Sequence, residues 1–292
     1  MKICLACGNL FEANDFRCPV CGHSPELRDG YPAFSPELAV GNNGFKTGFF
    51  SLLAKLEVGN FWFESRNRLL TWALGRYFPQ TETFLEIGGG TGFVLSGIRK
   101  DFQDIELFGS DIFSEGFTYT KDRVPEARFF QMDARQIPFD AEFDAIGAFD
   151  VLEHIDEDCV VLQQMFRAVK PGGGVILTVP QHQFLWSAVD EYSFHKRRYT
   201  RKDLIKKLKD ADFQIVYITS FAFFLLPIMF LSRIKRQLSS NKFDPMAELR
   251  IGQTTNTVLE NVMTVERVFI KHGFSFPAGG SLLVIAKRHS GR

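Results

Sequence analysis

The sequence predicts a doubly wound α/β fold behind a small cysteine-held module at the N-terminus. Three observations carry the prediction. A glycine-rich turn, Gly88-Gly-Gly-Thr-Gly92, joins a short apolar run (Phe84, Leu85, Ile87) to a helical apolar pattern (Phe93, Val94, Leu95, Ile98), the order expected of a first βα unit. Two later runs, 105–111 and 127–133, each end in an acid, Asp111 and Asp133. Ahead of all of these, Cys4-x-x-Cys7 and Cys18-x-x-Cys21 form two close pairs, each followed directly by glycine.

Four thiolates in two such pairs converge naturally on one tetrahedral metal ion, and a glycine after each pair permits the tight knuckle. Residues 1–23 are therefore expected to form a zinc ribbon held by Cys4, Cys7, Cys18 and Cys21. Iron would fit the same cage, and a disulfide framework is the rival in an oxidising compartment. No apolar run reaches the roughly 18 residues of a membrane span, and the Met1-Lys2 start is broken at once by cysteines, so a cytoplasmic protein is expected. Residues 24–44, with proline and glycine, read as linker.

Helical periodicity follows over 45–80, with Trp62, Phe63 and Arg66 about one turn apart, and reads as a helical cap. It serves either as an amphipathic helix with its aromatics in the core or as a lid from which Arg66 reaches a ligand. The main domain spans 81–292. In its first unit the pattern Glu86-x-Gly88-x-Gly90-x-Gly92 is acidic-x-G-x-G-x-G, and Phe93 stands where a dinucleotide fingerprint would put its third glycine. The spacing argues against a nicotinamide dinucleotide.

On these residues the chain resembles the class I S-adenosylmethionine-dependent methyltransferases of small-molecule type. The resemblance covers about 60–287 and is strongest over 83–200. It implies a Rossmann-like, seven-stranded, mostly parallel sheet whose last strand, 281–287, inserts antiparallel. It implies that Glu86, Gly88, Gly89, Gly90 and Gly92 lie under the methionine part of S-adenosylmethionine. Asp111, with Ile112, would take the ribose hydroxyls, and Asp133 the adenine amino group, with Ala134 against the ring. Phe149 and Asp150, at the end of the fourth strand, complete the implied cofactor wall, and Phe149-Asp-Val-Leu-Glu-His-Ile155 resembles the signature that faces the reactive methyl.

The acceptor side is expected between that signature and the loop 181–198, which carries His182, Trp186, Asp190, His195, Arg197 and Arg198. His154, His195 and Arg197 are the candidate catalytic residues: imidazoles exchange protons near neutral pH, and a guanidinium orients an anionic acceptor. Thr200 and Asp203 read instead as a capping pair for a helix over 201–211, with Tyr199 stapled to Leu204. Phe221–Leu231, followed by Arg233, Lys235 and Arg236, opens an insert over about 221–257; it fits a peripheral membrane contact, a wall of the active site or a dimer contact.

The 34 basic and 34 acidic residues balance to zero net charge, which excludes bulk electrostatic binding of nucleic acid. Hydrophobic content of 45% supports a sizeable core, and 32 phenylalanines suggest an aromatic-rich interior or acceptor pocket. The reading that results is a methyltransferase for a small or lipid-linked acceptor. A ribosomal-RNA base methyltransferase carrying a zinc module is the rival enzyme, and a non-catalytic adaptor that senses the cofactor is the rival from another class.

Overall fold

The computed structural model describes residues 1–39, 48–237 and 250–290. The cysteine module contributes a two-stranded ribbon, β1 (Lys2–Ile3) and β2 (Leu10–Phe11). Strands β3 (Glu26–Arg28) and β4 (Tyr31–Ala33) follow, then helices α1 (Gly48–Glu57) and α2 (Phe61–Tyr77). Next come β5 (Thr83–Ile87), α3 (Phe93–Asp101), β6 (Glu106–Asp111), α4 (Phe117–Arg123), β7 (Arg128–Gln131) and β8 (Phe143–Phe149). The chain continues through α5 (Asp158–Ala168), β9 (Val169–Pro180), α6 (Ala188–Tyr192), α7 (Arg201–Asp210), β10 (Gln214–Phe221), α8 (Leu226–Gln237), α9 (Gln253–Lys271) and β11 (Ser281–Lys287).

One large sheet runs in the order β10-β11-β9-β8-β5-β6-β7-β4-β3. The seven strands from β10 to β7 are those expected, with β11 antiparallel between β9 and β10. Strand β5 is flanked by β6 on one side and β8 on the other, both parallel to it. Strand order therefore reverses at β5, and a crevice opens beyond its carboxyl end.

Two strands extend the sheet beyond expectation. The stretch 24–44 was expected as linker, but β4 pairs with the edge strand β7 at Ala33↔Gln131 and β3 folds back on β4. Gln131 explains the docking. Its buried amide accepts from the Ser35 N–H at 3.0 Å and donates to the Ser35 carbonyl at 2.7 Å, so an edge that would otherwise be open is paired. Residues 40–47, the rest of that stretch and the start of the expected cap, lie outside the described residues.

The ribbon is also anchored. The Ile3 N–H donates to the Pro138 carbonyl at 3.0 Å, and Phe16 packs edge-on against Phe34, Phe130 and Phe139 at ring separations of 5.0–6.0 Å. Such aromatic pairs each add roughly 0.5–1.5 kcal/mol beyond their burial. Apolar layers cover both faces of the sheet: α5 and α7 with Tyr199 on one side, α2, α3 and α9 on the other.

Candidate functional site

The carboxyl ends of β5, β6 and β8 open onto a cavity of about 830 Å³. The glycine turn forms its floor. Gly88, Gly90 and Gly92 all have positive φ, +70°, +51° and +72°, which side-chain-bearing residues rarely adopt. Gly88 and Gly92 are also sterically closed: a Cβ would lie 2.4 Å from Val151 and 2.1 Å from Thr120. Gly89 differs, with ordinary φ and its Cβ position 3.7 Å from the Glu86 carboxylate.

A brace holds the turn in place. The Thr91 hydroxyl donates to the Glu57 carboxylate at 2.7 Å, and Arg123 donates to Glu57 at 2.7 Å and to the Thr91 carbonyl at 3.1 Å. The end of α1 is thereby tied to the floor. No local pattern announces this triad, because its members are 34 and 66 residues apart and each reads alone as a surface residue.

Glu86 ends up 3% exposed beneath the cavity, with Oε2 lacking any hydrogen-bond partner among the described residues. Burial pushes its carboxyl well above the usual range, only partly offset by Arg66. Asp111, at the end of β6, accepts from the Gly90 N–H at 3.1 Å and the Phe113 N–H at 3.0 Å. Burial nonetheless lifts it to about 6 against those two hydrogen bonds. Asp133 and Ala134 line the same wall, and Arg135 forks onto both Asp133 oxygens at 3.0–3.1 Å. Ile112, Phe149 and Asp150 complete it, so of the expected cofactor-side residues all but Gly92 border this one cavity; Gly92 instead packs beneath the turn against Thr120.

The far side is built differently from expectation. Asp150, held at φ +58°, pairs with Arg66 at 3.1 Å, so Arg66 does reach the cavity. Trp62 does not; it stacks on Phe221 with ring centroids 5.7 Å apart. His154 stands on the wall, its protonation suppressed to about pH 4, first by burial and then by His195. His195 lies outside the wall, its ring 4.7 Å from that of His154. Its Nδ1 meets Asp190 at 2.9 Å, and that buried carboxylate is forked by Arg198 at 2.8 and 3.0 Å.

Arg197 is also outside the cavity wall. It pairs with Asp158 on α5 at 2.9 Å, beside Lys207 and the Tyr199 hydroxyl. The neighbouring Lys196 borders the cavity instead. Among the described residues, none of 221–233 lines this wall: β10 takes Phe221, and α8 packs against the turn at Phe184, with Arg233 donating to the Ser187 hydroxyl at 2.6 Å. The residues that close the cavity in its place are Leu38, Phe50, Leu53 and Phe63, from the N-terminal side of the domain. The expected capping pair is present, the Thr200 hydroxyl accepting from the Asp203 N–H at 3.1 Å.

In the ribbon the four cysteine sulfurs lie within 4.8 Å of one another, with Cys4–Cys21 at 3.5 Å and Cys7–Cys18 at 3.7 Å. A tetrahedral ion with metal–sulfur bonds of about 2.3 Å requires sulfur separations of about 3.8 Å. Among the described residues no helix is long and apolar enough to cross a membrane.

Comparison with known proteins agrees with this geometry. The ubiquinone/menaquinone biosynthesis C-methyltransferase of Azotobacter vinelandii is 31% identical over 121 residues, which is 38% of this chain and 48% of that protein. The chain thus spans about half the length of the curated relatives it matches. Among solved structures, phosphoethanolamine N-methyltransferase 2 of Haemonchus contortus, in complex with S-adenosyl-L-methionine, superposes with a TM-score of 0.51 at 17% identity, covering 76% of this chain and 52% of that one. The [4+2]-cyclase SpnF superposes at 0.53 with 19% identity, covering 79% and 83%. One of these neighbours is a methyltransferase and the other a cyclase, so the likeness carries the fold and no more. The match that carries further is to the family model described as a methyltransferase domain, over residues 55–218. That is more than half of the chain and includes the whole of the glycine turn and both acidic strand ends, and on it the chain belongs to the methyltransferase-domain family.

Proposed function

We propose that the chain transfers a methyl group from S-adenosylmethionine to a small acceptor with an aromatic or lipid body. The single observation behind the reading is the cavity, where a buried carboxylate with one oxygen unpartnered among the described residues, Glu86, lies beside a glycine floor and two acidic strand ends. Its volume of about 830 Å³ lies high in the roughly 300–1,000 Å³ range of small-molecule sites, which leaves room for a cofactor and an acceptor together.

The residues fit the cofactor. Glu86 presents a buried oxygen that needs a cationic donor, as the methionine ammonium is. Asp111 spends one lone pair of each oxygen on backbone N–H groups, and its remaining lone pairs can accept ribose hydroxyls. Asp133, held by Arg135, is positioned for the adenine edge. S-adenosylmethionine brings a sulfonium that makes its methyl electrophilic. The protein's own task is orientation, which in favourable intramolecular models supplies roughly 7–11 kcal/mol of a barrier.

On the acceptor side His154 borders the cavity as a neutral imidazole, burial holding its protonation down to about pH 4, which suits a group that handles the proton of an acceptor hydroxyl. Phe50, Phe63, Phe113, Phe149 and Phe194 give the cavity an aromatic lining, with Lys196, Arg66 and Arg135 as its cations. That combination suits a ring or lipid bearing an ionisable oxygen, and the quinone-pathway names of the curated relatives point the same way. The ribbon cysteines hold a structural zinc ion in this reading, supported by their sulfur spacing.

The test is incubation of the enzyme with methyl-labelled S-adenosylmethionine and separated lipid, polar-metabolite and RNA extracts. Label in the lipid or polar fraction is expected. Label confined to RNA would support the ribosomal alternative, and no transfer into any fraction would favour a cofactor-sensing adaptor.

A further inference from the structure

Just behind His154 lies a second arrangement that cofactor binding leaves unexplained. Glu153, on the short 3₁₀ turn Leu152–His154, is 0% exposed, and neither of its carboxylate oxygens has a hydrogen-bond partner among the described residues. Leaving a carboxylate in that state costs several kcal/mol unless something compensates it. His195 Nε2 faces Glu153 Oε1 at 4.0 Å. That is too long for a hydrogen bond, and about half an ångström wider than the roughly 3.4 Å between two donors on one tetrahedral ion at bonds of about 2.1 Å, a gap that a small side-chain rotation closes. His154 is the third member, and one donor atom from each of the three lies within 4.8 Å of the others.

The surroundings are those of a ligand set. Asp190 accepts from His195 Nδ1 at 2.9 Å, which fixes the tautomer and leaves the Nε2 lone pair aimed at Glu153. Arg198 and the Ser187 N–H, at 2.8 Å, hold Asp190 in turn. A carboxylate behind a metal-ligating imidazole is the recurrent way such a ligand is oriented. Glu153 is itself fixed through its backbone, its carbonyl accepting from the Lys196 N–H at 2.7 Å.

We propose that Glu153, His154 and His195 form a binding site for a divalent transition-metal ion, separate from the four-cysteine ribbon. Two imidazoles and one carboxylate suit Mn²⁺, Fe²⁺, Co²⁺ or Zn²⁺ and leave coordination positions open. His154 belongs to the cavity wall, so an open position there reaches an acceptor oxygen and favours its ionised form. The site would thus select acceptors carrying a hydroxyl. This last step rests on the methyltransferase reading; the binding of the ion does not.

Mn²⁺ tests the site, because it favours oxygen and nitrogen over the thiolates of the ribbon. Protein carrying a single equivalent of zinc, the amount that the four-cysteine ribbon takes, and freed of any excess is titrated with Mn²⁺, with free ion followed by its paramagnetic resonance signal and no acceptor or cofactor present. One bound equivalent is expected. Glu153→Gln and His195→Ala should each raise the Kd at least tenfold, and Asp190→Asn by 10–100-fold as the loss of a supporting partner. Cys18→Ser should leave it unchanged. Glu153→Gln removes an uncompensated buried charge and is expected to melt no lower than wild type, which keeps the test independent of folding. Absence of stoichiometric Mn²⁺ binding, or a Kd unaltered in both Glu153→Gln and His195→Ala, would overturn the site. Transfer activity without Mn²⁺ dependence would leave the ion bound but refute its link to the acceptor.

Discussion

Replacing Asp190 with asparagine tests whether the buried cluster behind the cavity is built as described. The side chain is 0% exposed and carries His195 on one oxygen and Arg198 on both. Asparagine keeps the shape but removes the charge, leaving Arg198, 6% exposed, and His195 facing an amide. Breaking a buried ion pair from one side costs roughly 3–5 kcal/mol. The lower end is expected, because Arg198 keeps a bond to the Gln181 carbonyl at 3.2 Å. Acid sensitivity supplies an independent measure. Burial alone would raise the Asp190 carboxyl, but the His195 and Arg198 hydrogen bonds outweigh it and hold it down to about 2. Against the usual carboxyl value this corresponds to about 2 kcal/mol. Because the folded-state value is depressed, that stability is complete above about pH 4 and is lost as pH falls toward 2. Urea unfolding of wild type and Asp190→Asn between pH 7 and 3 should show a gap near 3 kcal/mol that narrows below pH 4. A variant within about 0.5 kcal/mol of wild type across that range would refute the reasoning. Cofactor affinity should be unchanged, since Asp190 does not border the cavity.

Glu86→Gln should weaken S-adenosylmethionine by roughly 10–100-fold in calorimetry while the ligand-free melt stays level or rises, because a buried oxygen without a partner loses its charge. Gly89→Val should fold normally yet lose most cofactor affinity, whereas Gly90→Val, strained at φ +51°, should lose both affinity and thermal stability. Arg197→Ala should leave turnover within a few-fold of wild type and cost about 1–2 kcal/mol of stability through Asp158, measured by urea unfolding. Cys18→Ser should abolish stoichiometric zinc in elemental analysis and lower the melting temperature, because the loops that carry Phe16 lose their anchor.

Sequence alone determined the parts whose physics is local. The glycine floor is legible because positive φ and close approach demand glycine at fixed spacing, and Asp111 and Asp133 because each closes an apolar run. The cysteine cage is legible because two Cys-x-x-Cys pairs bring their sulfurs together over short loops. Each follows from a few neighbouring residues, and all survive in the structure, as do the seven strands with the last one antiparallel that the resemblance implied.

What the chain brings together over long separations was decided only by tertiary structure. Whether residues 24–39 are linker or sheet depends on Gln131, nearly a hundred residues later. The Glu57–Thr91–Arg123 brace, and the placing of Arg66 on the cavity wall in ion pair with Asp150, arise where separate elements meet. The loop 181–198 is the sharpest case. Its composition marks it as rich in chemistry, but consecutive residues there point in different directions: Lys196 to the cavity, Arg197 to Asp158 and Arg198 to Asp190. In an irregular loop no period relates position to direction, so only the packed fold assigns each side chain its partner.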